Sequence, residues 1–115
     1  MEYKKSWRIL KESKIEDFLN WFVFTFQNPY KIVAGGNCPV QAEGVLPTGE
    51  FYYFRARHSR WAIEVAKNEQ EWTEYNTLFR YEEKYEKHGQ HGAGWMPRYE
   101  AIRFATVGIK KYYKK

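Results

Sequence analysis

Along this chain the spacing of apolar positions changes several times, and each change predicts a new element. Between residues 14 and 27, Ile15, Phe18, Leu19, Phe22 and Phe26 recur every three or four positions, and Trp21, Val23 and Phe24 thicken the stripe, so this segment reads as a helix. Ser13 with Glu16 has the spacing of a capping box at its start. Asn28-Pro29 ends it, because the residue before a proline is pushed out of helical backbone. The density of rings and β-branched residues leaves a strand over 21–26 as the alternative.

From Gly35-Gly36 onward the period falls to two. Strands are predicted over 39–46 ("PVQAEGVL"), 50–57 ("EFYYFRAR") and 61–67 ("WAIEVAK"), joined by turns at Pro47-Thr48-Gly49 and near 58–60. Asn68 with Glu71 offers a second capping pair. Trp72, Tyr75, Leu78, Phe79 and Tyr85 follow at near-helical spacing as far as Gly89, which predicts a helix, although "TLFRYEEKYEK" also alternates as a strand would. Residues 88–96, "HGQHGAGWM", read as a glycine-rich loop. Pro97 suits the first turn of a last helix over 97–113, with Ala101, Ile102, Ala105, Ile109 and Tyr112 toward the sheet. The expected architecture is one α+β domain spanning 1–115: an antiparallel sheet of at least three strands, a meander over 39–67, with N- and C-terminal helices packed on one face.

Alternation then sorts the meander's side chains. The middle strand sends Tyr52, Phe54 and Ala56 to the core, joined by Val40, Ala42, Gly44, Trp61, Ile63 and Val65. The Pro47-Thr48-Gly49 turn sets Glu43 opposite Tyr53 and Gln41 opposite Arg55. The other face therefore carries Gln41, Glu43, Tyr53, Arg55, Arg57 and Glu64, bordered by Phe51 and Val45. Guanidinium forks suit phosphate or carboxylate and a ring suits stacking, so this face is the candidate binding surface. Its bland reading is a solvated sheet side on which Arg and Glu pair across strands for about 0.2–1 kcal/mol each. Arg55 and Arg57 at i and i+2, with Arg60 nearby, favour an anion footprint, since like charges on one face repel unless offset.

Charge supports that direction. Nineteen Lys and Arg against 14 Asp and Glu give +5, which attracts anionic partners, although part of the excess is the terminal "KKYYKK". Five Trp, ten Tyr and eight Phe in 115 residues make the chain aromatic for its size. Lone Cys38 cannot form an internal disulfide, no export signal is visible, and the longest apolar-rich run is too short for a bilayer span. The expectation is a cytoplasmic protein without membrane association.

Other constellations are weaker. His88 and His91 supply two of the ligands a zinc site requires and read as an exposed loop rather than a metal centre. "GQHGAG" has neither the order nor the context of a dinucleotide fingerprint, and no P-loop lysine is present, so no cofactor is implied. Trp95 and Arg98, at the start of the last helix, form a secondary anion candidate because helix starts expose backbone donors. Cys38 reads as a buried, inert thiol, and Glu82, Glu83 and Glu86 with Lys84 and Lys87 as a solvated helix face. No residues are assigned a catalytic role. Trp21, Phe22, Phe24 and Phe26 read as core first and as a partner-binding or homodimer stripe second.

The segments "CPVQAEG" (38–44) and "FYYFRAR" (51–57), Trp61, and "GWMP" with the following "EA" (94–101) resemble a pattern of small uncharacterised bacterial and phage proteins. The resemblance covers about half the chain and carries no catalytic motif. A phage origin implies an inhibitor or ligand-sequestering role against host defence. The expected function is a non-enzymatic binding protein for an anionic ligand, a nucleotide or nucleic-acid-containing complex, held by Gln41, Glu43, Tyr53, Arg55, Arg57 and Arg60, with Trp95 and Arg98 as further candidates. The alternative is an inhibitor module that contacts a protein partner directly.

Overall fold

A computed structural model describes residues 2–87 and 92–115, with side chains from residue 14 onward. The elements run α1 (Glu2–Phe26), β1 (Val40–Val45), β2 (Phe51–Arg57), β3 (Arg60–Ala66), α2 (Glu69–Thr73), β4 (Thr77–Lys84), a 3-10 turn (Gly92–Trp95) and α3 (Arg98–Lys114). The strands form one antiparallel sheet in the order β1-β2-β3-β4. This is the expected α+β meander with one strand more than the three that the sequence pattern predicted outright. Among the described residues, no helix is long and apolar enough to cross a membrane.

The hydrophobic layer lies where alternation put it. Phe54, Ala56, Trp61, Ile63 and Val65 are essentially inaccessible to water and meet Ala101, Ile102, Ala105 and Ile109 of α3. Trp61 stacks on Phe104 with centroids 5.2 Å apart. Contact is closest at Gly108, where a Cβ would come within 2.4 Å of Ile63 Cγ2, so only glycine lets α3 settle onto β3. α1 lies against α3, burying Val23, and the Asn20 side chain accepts a hydrogen bond from the Tyr99 amide at 2.9 Å, capping the first turn of α3 from a neighbouring helix.

Two sequence expectations are corrected here. The first helix starts at Glu2, not near residue 14, so Ser13 sits within continuous helix and its pair with Glu16 caps nothing; the strand alternative over 21–26 is excluded. The helix expected over 69–87 is a single short turn followed by a strand. Asn68 caps it as predicted, accepting from the Glu71 amide at 2.8 Å. The helix ends because Tyr75 adopts a left-handed φ of 63°, its amide donating to Trp72 O and that of Asn76 to Glu71 O. This is a Schellman closure with tyrosine where glycine is usual, which hides the stop from sequence inspection. Residues 77–84 then extend, with Phe79 opposite Val65 and Tyr81 opposite Ile63. Glu82 and Glu83 accordingly point to opposite faces of a strand rather than sharing a helix face.

Candidate anion-binding site

The register fixes the site. Gln41 pairs with Arg55 and Glu43 with Tyr53, as the turn length implied; Tyr53 pairs with Glu64, Arg55 with Ala62, and Arg57 with Arg60. β4 adds Arg80 opposite Glu64, Glu82 opposite Ala62 and Lys84 opposite Arg60. The face away from α3 therefore ends in a row of three cations, Arg57, Arg60 and Lys84, on strands about 4.8 Å apart. Like charges placed directly opposite one another destabilise a sheet unless an anion lies between them.

Arg55, Arg57, Arg60 and Arg80 line one shallow depression of about 210 Å³, with Glu82 at its side. Glu82 reaches Arg60 at 3.2 Å and Arg80 at 3.1 Å, and Arg80 also lies 3.6 Å from Glu64. Arg60 and Arg80 stay about half exposed despite these pairs. Arg55 and Arg57 have no carboxylate partner among the described residues. Arg55 Nε is buried without any hydrogen-bond partner, an arrangement that costs about 1–3 kcal/mol for an unpaired donor and more for a charged group.

The other predicted residues are placed differently. Tyr53 was expected to offer its ring outward, yet α2 lays Trp72 over it at a centroid distance of 4.7 Å, and over Phe51 at 5.4 Å. Trp72 Nε1 donates to Glu64 at 3.1 Å, and the Tyr53 hydroxyl donates to Gln41 Oε1 at 2.6 Å. Burial is the main cause that pushes the Tyr53 hydroxyl above its ordinary value; Arg55 counteracts it, and Glu43 and Glu64 reinforce it. Tyr53 and Gln41 thus support the face internally. Glu43 borders a separate groove with Tyr30, Lys31 and Tyr52. The helices were expected on one face only; α2 is the exception, roofing half of the other.

Trp95 and Arg98 are adjacent but belong elsewhere. They line a cavity of about 470 Å³ with Glu16, Asp17 and Asn20 of α1, and no residue of the arginine depression takes part. The carboxylates and the occupied Tyr99 amide make this an unfavourable place for an anion. Cys38 is exposed rather than buried, its amide donating to Gly94 O at 2.7 Å. His88 and His91 lie outside the described residues. Among those described, no group of three or more His, Cys, Asp or Glu is arranged to hold a metal.

Arg80, Glu82 and Lys84 join the site because the strand alternative for "TLFRYEEKYEK", rather than the helix, is the one the structure adopts. The signal was present: "TLFRYEEK" alternates, with Phe79 and Tyr81 on one side and Arg80, Glu82 and Lys84 on the other. No family model, curated protein or solved structure matches the chain, so the geometry alone carries the functional reading.

Proposed function

We propose that the protein is a non-enzymatic binding protein that holds the phosphate backbone of a nucleic acid on the arginine end of its open sheet face. The observation that carries this reading is the row of Arg57, Arg60 and Lys84 beside Arg55, whose buried Nε lacks a partner. A phosphate oxygen would relieve the repulsion along the row, and would satisfy that donor once the Arg55 guanidinium turns outward to meet it. Arg55 and Arg57 meet the ligand first, while Arg60 and Arg80 exchange Glu82 for it.

Magnitude favours a polymer over a free nucleotide. Small-molecule sites usually enclose about 300–1,000 Å³, whereas the depression offers about 210 Å³ and lies open. A backbone that crosses the surface needs no enclosure. On the resemblance to phage proteins, the role would be to sequester a nucleic-acid-bearing complex of the host.

The test is fluorescence anisotropy with short single- and double-stranded oligonucleotides across a salt series. Engagement of four phosphates gives log K against log salt a slope of roughly −3, at about −0.7 to −0.9 per phosphate. Arg55→Ala should abolish measurable binding while the circular dichroism spectrum is retained. Affinity that ignores salt, or that survives combined loss of Arg55 and Arg57, would overturn the reading in favour of direct contact with a protein.

A further inference from the structure

α1 is apolar on both sides over its second half, and only one side is covered. Val23 is fully buried on the side facing α3. On the outward side, Phe18, Trp21 and Phe26 are 57%, 56% and 64% exposed, and Ile15 is 52% exposed. Their rings touch one another and the half-buried Phe22: Phe18 to Trp21 at 6.0 Å, Phe18 to Phe22 at 6.1 Å, Trp21 to Phe26 at 5.6 Å and Phe22 to Phe26 at 5.4 Å. At 100° per residue these positions share one arc of the helix. The result is a continuous aromatic ridge, widened on its flank by Phe24 and Val33, which border a cavity of about 270 Å³ with Trp21.

The area decides what can cover it. Large side chains carry about 150–250 Å² each, so half-exposed rings and their aliphatic neighbours leave on the order of 500–600 Å² of apolar surface on this side. That is the upper end of what a monomer leaves open, roughly 300–600 Å². Doubled by a two-fold axis, it reaches about 1,000–1,200 Å², the threshold of a specific interface, before any polar rim is added. Charge is divided along α1: Lys4, Lys5, Arg8, Lys11 and Lys14 precede the ridge, whereas within 15–26 the charged residues are Glu16 and Asp17 alone, so the aromatic stretch itself carries no cation to meet anionic lipid.

We infer that the outward ridge of α1, built from Ile15, Phe18, Trp21, Phe22 and Phe26, is the interface of a homodimer in which the same helix of a second copy supplies the cover. An isologous contact gives each ring another ring, the composition typical of homodimer cores. This inference is independent of the anion site, which lies across the sheet from α3 and its neighbour α1.

Sedimentation velocity of the full chain, from low to high micromolar concentration, tests it. The wild type should pass from monomer to dimer. Phe18→Asp combined with Phe26→Asp should move the midpoint to roughly a hundredfold higher concentration, a factor of ten for each substituted position counted over both copies. Both substituted positions are exposed, so the circular dichroism spectrum and melting temperature should be retained. If the double variant fails to fold, Ile15→Glu at the end of the ridge carries the same comparison. A wild type that stays monomeric throughout, or a folded variant that dimerises as well as the wild type, overturns the inference. So does a monomeric wild type that cosediments with phosphatidylserine vesicles, which would assign the ridge to a lipid surface.

Discussion

The open face of the sheet has two ends, made by the same strands and the same alternation, that differ in whether anything lies over them. β2 contributes Phe51 and Tyr53 to one end and Arg55 and Arg57 to the other. Over the first end α2 sets Trp72, which makes Phe51 as inaccessible as a core residue at 5% exposure and engages Glu64. Over the second no described element sits, and Arg60 and Arg80 stay about half exposed. Alternation therefore selects which residues share a face, while the short connection between β3 and β4 selects which half of that face is dry. Burial contributes about 25 cal/mol per Å² of apolar surface at the covered end, whereas each exposed ion pair at the other contributes about 0–1 kcal/mol. The covered end holds the fold together, and the uncovered end is free to serve a ligand at little cost to stability.

Four substitutions grade that contrast. Phe54→Ala, in the core against Trp61 at 5.8 Å, sets the upper scale at about 3–5 kcal/mol, read as a shift in the denaturation midpoint at unchanged m-value. Trp72→Ala should cost about 2 kcal/mol, from a half-buried ring and the hydrogen bond to Glu64, and should leave the oligonucleotide salt slope unchanged. Loss of binding in a folded Trp72→Ala protein would show that the two ends act as one. Arg57→Ala should stay within about 0.5 kcal/mol of the wild type and make the salt slope shallower by roughly one. A stability loss equal to that of Trp72→Ala would assign Arg57 to the fold.

Tyr112→Phe, which touches neither end, should have the smallest effect, a small loss of stability at neutral pH that vanishes at alkaline pH. The hydrogen bond to Glu50, with burial behind it, raises the Tyr112 hydroxyl from its ordinary 10.0 to about 12. A raised value in the folded state means that the stabilisation is intact below pH 10 and is lost as pH rises through about 12. Denaturation midpoints over that window should fall less steeply in the phenylalanine variant, with anion binding at neutral pH unaffected.

How much of this was legible depended on whether the deciding interaction was local. The register of Gln41, Glu43, Tyr53 and Arg55 could be read in advance because a short turn and a period of two determine it. The split of 69–87 into a turn of helix and a strand could not, because the stop rests on left-handed Tyr75, a residue type that rarely takes that conformation. With helix and strand both open over this segment, Arg80 and Lys84 could not be placed on the face. The cover over Tyr53 was equally invisible: Trp72 has the spacing of a core position, and only the path of the chain shows which side of the sheet it lands on. Cys38, expected buried because no histidine lies near it in the sequence to activate it, is instead exposed at the entrance to β1.

Only His58 and Ser59 separate Arg57 from Arg60, with His58 in left-handed backbone at φ 58°. A reversal this short has no slack, so the cations that flank it stand like the teeth of a comb whose pitch is set by the sheet. Substitution can change how hard each tooth pulls. An added residue would change the pitch itself, turning one flank of the hairpin over and aiming its arginines into the oil.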